Sequence, residues 1–332
     1  MDNNTQKKGI AGYWLVTMFV AISFAIVFIT AGILYFLQAP AQLESFEYTA
    51  NVWTDRVVKV EAGTERSTGF VIEAKRENGV GYAYVVTTYH GVDDALESVK
   101  IRLNGELLSA ENLRYNVYTD IAVFRVRCDV NYPLISAADV NIATEVMALG
   151  YPSGGPINAE MGVVNRTIHL DEHSTLAPLL CYDVSAYVQG GMSGCPIFTL
   201  DGKLVGMGAR TRIDNIDGEQ VHFSSDNYVV PASIIFAEYD LAKNHRSAKY
   251  INYYLSEKDG AIIADFLESK IKYDGKLTID GKEIVKVKNT PVRDMIDFIA
   301  SVITYSNCRE VNGRYYVDVV TKDGETISIK VA

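Results

Sequence analysis

Short apolar strands broken by tight-turn residues govern what this chain can fold into. The runs Val57-Val58-Lys59-Val60, Thr68-Gly69-Phe70-Val71-Ile72, Tyr82-Ala83-Tyr84-Val85-Val86, Val99-Lys100-Ile101-Arg102-Leu103 and Ile121-Ala122-Val123-Phe124-Arg125-Val126 all have strand character. Glu77-Asn78-Gly79, Leu103-Asn104-Gly105, Leu200-Asp201-Gly202 and Ile216-Asp217-Gly218 supply the turns. Asn-Gly and Asp-Gly pairs accept the left-handed backbone that two-residue hairpins need. Many short strands joined in this way build sandwiches or barrels. The 332 residues suffice for about two domains at roughly 150 residues each, and 48% hydrophobic with 22% charged residues excludes a disordered chain. With 31 Lys+Arg against 41 Asp+Glu the net charge is −10, and no basic stripe offsets it, so nucleic acid is not an expected partner. Cys128, Cys181, Cys195 and Cys308 stand far apart without a CxxC pair, which argues against a zinc ribbon or a dense disulfide framework.

From Ile10 to Leu37, 28 consecutive positions carry no charge. About 20 apolar residues cross a bilayer, so the run predicts a transmembrane helix over 10–37. Lys7 and Lys8 before it and Glu44 and Glu47 after it put residues 1–9 in the cytoplasm as a tail, by the positive-inside rule. The remainder is then exported, on the periplasmic or extracellular side of a single-pass membrane protein. A cleaved signal peptide is the competing reading, since Ala39-Pro40-Ala41 resembles a small-residue cleavage site.

Residues 38–52 read as a linker and 53–243 as one β-rich domain. A helix over Ala232 to Lys243, with Ile235, Ala237 and Leu241 at helical spacing, closes that domain. The polar stretch 244–250 reads as a second linker. Residues 251–332 form a small α+β unit with strands at Gly260–Phe266, Glu283–Val287, Arg314–Val320 and Thr326–Val331. Its helix is expected over Pro291–Val302, with the proline in the first turn.

Gly190-Gly191-Met192-Ser193-Gly194-Cys195-Pro196 sets a serine in a glycine-rich turn, where neighbouring N–H groups can converge on one spot. A serine hydroxyl needs an adjacent base, itself oriented by a third group. His90 ends a strand-like run and is the best-placed base; Asp120, directly before an apolar strand, is the matching acid. The order His90, Asp120, Ser193, in the local sequences TTYHG, TDIAVF and GMSGCP, resembles the trypsin-like (chymotrypsin-fold) serine endopeptidases. Within them it is most similar to the membrane-anchored HtrA/Deg family. Val146-Met147-Ala148-Leu149-Gly150-Tyr151-Pro152-Ser153-Gly154 and Gly202-Lys203-Leu204-Val205-Gly206-Met207 resemble further stretches of that family, over about residues 55–235. Residues 251–332 resemble a PDZ domain, with Tyr254-Leu255-Ser256-Glu257 nearest to a carboxylate-binding loop.

The resemblance implies a mainly β fold: an N-terminal transmembrane helix, two six-stranded antiparallel β-barrels and a PDZ-like domain. It implies Ser193 as nucleophile, His90 as general base, Asp120 as the orienting carboxylate, and an oxyanion hole formed by the N–H groups of Gly191 and Ser193. Tyr187, Val188 and Gln189 would line the substrate pocket, where nothing acidic invites Lys or Arg. The chemistry requires neither a metal nor an organic cofactor. Partners would be protein or peptide substrates and, by family habit, two further copies in a homotrimer. The functional reading is peptide-bond hydrolysis of exported proteins, in quality control or regulated proteolysis. Its rival is a silent protease fold serving as a sensor or binding protein through the PDZ-like module.

Met192, where the family has Asp or Asn, and Tyr89, where it has a small residue, depart from the pattern. Cys195 reads either as a packed thiol or as an alternative nucleophile, and a Cys181–Cys195 disulfide is conceivable. His169 and His173 read as metal ligands or as a solvated loop, and Asn165-Arg166-Thr167 fits a glycosylation acceptor.

Overall fold

The structure is a computed structural model that describes residues 18, 20–30, 46–172, 176–216, 219–244, 251 and 253–332. It divides into two units, Met1–Glu44 and Ser45–Ala332. In the first, residues 20–30 form helix α1, exposed at every position. Among the described residues no helix is long and apolar enough to cross a membrane, so the transmembrane helix read over 10–37, and the single-pass anchoring that rested on it, is corrected. An uncharged run fixes apolarity but not helix length. Residues 10–17, 19 and 31–37 lie outside the described residues, as do the tail 1–9 and positions 38–45.

The second unit opens with α2 (Phe46–Thr54) and two closed antiparallel barrels. The first comprises β1 (Val57–Ala62), β2 (Glu65–Glu77), β3 (Val80–Thr88), β4 (Lys100–Leu103), β5 (Glu106–Asn116) and β6 (Ile121–Arg127), in the order β1-β2-β3-β6-β5-β4. The second comprises β7 (Glu145–Gly150), β8 (Asn158–Asp171), β9 (Leu179–Val184), β10 (Pro196–Thr199), β11 (Leu204–Ile216) and β12 (Glu219–Pro231), in the order β10-β11-β12-β9-β8-β7. The near-continuous apolar strands follow from this geometry, because inner strands bury both faces. In β3, Ala83 and Val85 enter the first barrel's core while Tyr84 and Val86 face the core shared with the second barrel. In β7, Val146 and Ala148 fill the second barrel while Met147 and Leu149 face that shared core. The β2–β3 hairpin turns at Asn78 and Gly79, with φ of +51° and +82°, as the Asn-Gly pair predicts. At Asp201-Gly202 only the glycine is left-handed, and Asp217-Gly218 lies outside the described residues.

Helix α2 lies on the second barrel: Trp53 stacks on Phe198 at 4.0 Å and Thr49 Oγ1 donates to the Leu200 carbonyl. Tyr48 instead faces solvent. The expected closing helix is α3 (Ala232–Asn244), and the shared core continues through it into the C-terminal strands. Those strands are β13 (Tyr254–Lys258), β14 (Ala261–Asp265), β15 (Lys270–Tyr273), β16 (Leu277–Ile279), β17 (Lys282–Val287), β18 (Thr290–Pro291), β19 (Cys308–Val311), β20 (Arg314–Thr321) and β21 (Thr326–Lys330). Helix α4 (Met295–Ile303) begins later than expected: Pro291 pairs in β18, and Asp294 caps the helix by accepting the Asp297 N–H at 2.9 Å. Tyr254–Glu257, expected as a loop, belongs to strand β13, and Glu257 donates its N–H to Glu172 of the second barrel.

Replacing Trp53 by Ala empties the seat of α2 on Phe198 and should lower stability by about 3–5 kcal/mol, read as a lower denaturation midpoint at unchanged slope.

Candidate active site

Strand register brings His90 and Asp120 together. β3 and β6 pair as far as Thr88 opposite Ile121, so the residues just beyond Thr88 and just before Ile121 emerge at the same barrel end. There the Asp120 carbonyl accepts the Tyr89 N–H at 3.0 Å. Asp120 Oδ1 accepts the His90 backbone N–H at 2.9 Å, and Oδ2 lies 2.7 Å from His90 Nδ1. A carboxylate can only accept, so Nδ1 carries the proton and Nε2 keeps a lone pair turned away from the acid. Asp120 is 4% exposed and sits at φ +53°, a left-handed geometry that Asp tolerates better than most side chains.

Burial alone would lower the His90 pKa, and Arg210 adds to that. The charge and hydrogen bond of Asp120, with Asp93 behind them, outweigh both, so the net shift is upward from 6.5. A raised value means that the dyad stabilises the fold fully below the unfolded imidazole pKa, and that this contribution is lost as pH rises through the folded value.

Ser193 lies between β9 and β10 on a backbone clamped to the first barrel. Its carbonyl accepts the Thr68 N–H at 2.9 Å, and Thr68 Oγ1 donates to the Gly191 carbonyl at 2.9 Å. That same hydroxyl accepts the Tyr151 N–H at 2.9 Å, while the Thr68 carbonyl accepts Thr87 Oγ1 at 2.7 Å. Thr68 therefore links the serine loop, the β7–β8 connection and the strand that ends in His90. Gly194 fits under this strand only as glycine: at φ +90° an added Cβ would stand 1.9 Å from the Thr68 carbonyl oxygen.

The turn Gln189–Met192 is closed by the Met192 N–H to the Gln189 carbonyl at 2.8 Å, with Gly191 at φ +88°, as a type II turn requires of its third residue. The Gly190 carbonyl accepts the Ser153 N–H at 2.7 Å. Carbonyl and N–H of one trans peptide point opposite ways, so this bond turns the Gly191 N–H away from Ser153. Among the described residues neither the Gly191 nor the Ser193 N–H has an acceptor, and no hydrogen bond joins Ser193 Oγ to His90. The structure thus brings His90 and Asp120 into contact and leaves the Ser193 hydroxyl unbonded.

Of the residues expected to line the pocket, Val188 is buried, with its N–H donated to Asn227 Oδ1 at 2.9 Å and its carbonyl accepting Thr211 Oγ1 at 2.7 Å. Gln189 donates to Glu160 at 2.9 Å, and Tyr187 is half-buried. Thr68 was visible in the sequence only as part of a strand. Ser153, Thr211 and Asn227 carried no local signal, because their roles arise from contacts between distant segments.

The structure places the two buried cysteines. Cys195 is a free, fully buried thiol with its pKa pushed up to about 12 by burial, the opposite of an activated nucleophile, and Cys181 is also free and buried. His169 stacks against Tyr228 at 5.0 Å, and His173 lies outside the described residues. Asn165 donates to the Ser225 carbonyl at 3.1 Å.

Residues 67–207 match the family described as Trypsin-like peptidase domain. The chain is 30% identical over 149 residues to a "Probable periplasmic serine endoprotease DegP-like" of Halomonas elongata, covering 42% of this chain and 30% of that protein. It is 28% identical over 198 residues to "Serine protease Do-like HtrA" of Bacillus subtilis, covering 57% and 42% respectively. The match thus spans less than half the length of these relatives. A solved structure of the Rv3671c protease from Mycobacterium tuberculosis, inactive form, aligns with a TM-score of 0.48 at 25% identity, covering 61% of this chain and 95% of that one.

Replacing Gly191 by Ala would place a Cβ 2.3 Å from the Ser153 nitrogen. The turn must then let go of Ser153, and stability should fall by about 1–3 kcal/mol in chemical denaturation.

Proposed function

We propose, for a chain that carries a trypsin-like peptidase domain and is homologous to the HtrA/DegP serine proteases, that it is a serine endopeptidase. The observation that carries the reading is the double grip of Asp120 on His90, through the backbone N–H and Nδ1, which leaves Nε2 as a base. Ser193 Oγ attacks the scissile carbonyl carbon and gives its proton to His90 Nε2. The carbonyl oxygen becomes an oxyanion that the Gly191 and Ser193 N–H groups receive. Collapse breaks the C–N bond, His90 returns the proton to the leaving amine, and water repeats the sequence on the acyl-enzyme. Each oxyanion donor is worth about 2.7–4 kcal/mol in such sites.

The hydroxyl of Ser193 is unbonded without substrate, a separation that commonly tightens only in the Michaelis complex. Val188, Thr211 and Asn227 bond to one another beside the serine loop without a carboxylate, which supports a preference for small or medium apolar side chains. Relatives named periplasmic support action outside the cytoplasm, and protein quality control or regulated proteolysis is part of the proposal. The division at 244–250 and a PDZ-like role for 251–332 belong to the same reading. The enzyme is preferred to the silent sensor because α4 is buried at nearly every residue and β13 already contacts Glu172, which leaves less of the C-terminal unit free for peptides.

Labelling by a fluorophosphonate tests the proposal. Wild-type protein should label and Ser193→Ala should not; Asp120→Asn should slow labelling by about 10⁴-fold through the wrong imidazole tautomer. The rate should rise with pH through a midpoint above 6.5, because His90 must be neutral to accept the proton. A folded wild type that resists labelling across that range would overturn the assignment.

A further inference from the structure

Resting on this reading of the site, we propose that Glu238 is a positioning residue for the reaction: from α3 it holds the β5–β6 turn in the shape that presents Asp120 to His90. The turn runs from Asn116 to Asp120, since β5 and β6 pair up to Asn116 opposite Ile121. Glu238 is 1% exposed, although it is a carboxylate on a helix. Its Oε2 accepts Arg114 Nε at 3.0 Å, while Oε1 accepts Asn116 Nδ2 at 2.5 Å and Thr119 Oγ1 at 3.5 Å. Asn116 Oδ1 in turn accepts the Tyr118 N–H at 3.0 Å. Arg114 and Asn116 thus donate to one buried carboxylate from β5, and the hydroxyl of Thr119, shared at 3.5 Å between Glu238 and the Asn116 carbonyl, adjoins Asp120.

A second brace comes from the C-terminal unit. The ring of Tyr118 lies 5.6 Å from that of Tyr253, which is buried and reaches Phe266 at 5.9 Å. The turn is therefore held both by α3 and by the aromatic core of residues 251–332. Such a grip has a purpose at Asp120, whose left-handed backbone is unfavourable unless its surroundings over-determine it. A buried ion pair is itself weak evidence of stability, since an apolar pair of similar volume commonly serves as well. That makes the Asn116 and Thr119 contacts, rather than the charge pair, the part that requires an acceptor at this position.

Arg114 contacts Glu238, with Tyr253 in electrostatic range, and Asp120 contacts His90, with Asp93 and Arg210 in electrostatic range. None of these but Arg114 is altered in the test. Arg114→Met/Glu238→Leu removes both buried charges together, and with them the acceptor for Asn116 and Thr119. The variant is expected to fold with a lowered thermal midpoint, because the buried Asn116 amide loses its acceptor. The His90 titration midpoint, followed by imidazole NMR, should fall toward 6.5 as Asp120 loosens. The low-pH limb of fluorophosphonate labelling should move with it, and the plateau rate should drop by about tenfold or more. Asn116→Ala, which leaves the ion pair in place, should produce the same displacement and stands in if the double variant does not fold. Wild-type values of both the His90 midpoint and the labelling limb in a folded variant would overturn the positioning role. The NMR titration requires no activity, so it decides this inference even where an unlabelled wild type sinks the peptidase reading.

Discussion

The bond from the Thr68 N–H to the Ser193 carbonyl is the contact on which the arrangement of the site depends. Each barrel closes on itself through its own strand pairing. The serine loop is instead tied across to β2 of the first barrel through both the backbone and the hydroxyl of Thr68. His90 leaves the neighbouring strand β3, whose Thr87 is bonded to the Thr68 carbonyl. Base and nucleophile loop are thus referred to one residue, and the apolar core between the barrels keeps that reference rigid. The tight approach leaves no room for a Cβ at Gly191 or Gly194, so the glycines of the serine turn answer to packing as much as to any ligand.

Much of the fold was legible because its rules are local. Alternation in β3 and β7 serves two cores at once and produces apolar runs that read plainly as strands. Asn78-Gly79 turns as its residue types dictate. His90 and Asp120 were legible for the same reason, each lying at the end of a recognisable strand. What failed was whatever needed distance or length. A run of 28 uncharged residues gave apolarity without fixing a helix of spanning length. Pro291 suggested a helix start, but the side chain of Asp294 competes better for the free N–H groups and moves the start beyond it. Tyr254–Glu257 was mistaken for a loop because β14, the partner that makes it a strand, contributes nothing to its own sequence pattern. Thr68, Ser153 and Glu238 were silent, since ordinary residues acquire their roles only by meeting segments far along the chain.

Charge is distributed around the site by the same logic of partnership. Besides Arg114 with Glu238, Arg210 grips buried Asp171 through two nitrogens, at 2.6 and 2.5 Å, and Arg166 pairs with buried Asp183. Each of these acids is held by a guanidinium group. Asp120 differs in having an imidazole as its partner. It is therefore the buried acid of this set whose partner changes charge near neutrality. Arg210 opposes that charge and Asp93 favours it, so the protonation of His90 balances several neighbours rather than one. A base set by such a balance is sensitive to where its carboxylate sits, which is why a turn held from outside the barrel matters more for Asp120 than for acids paired with arginine.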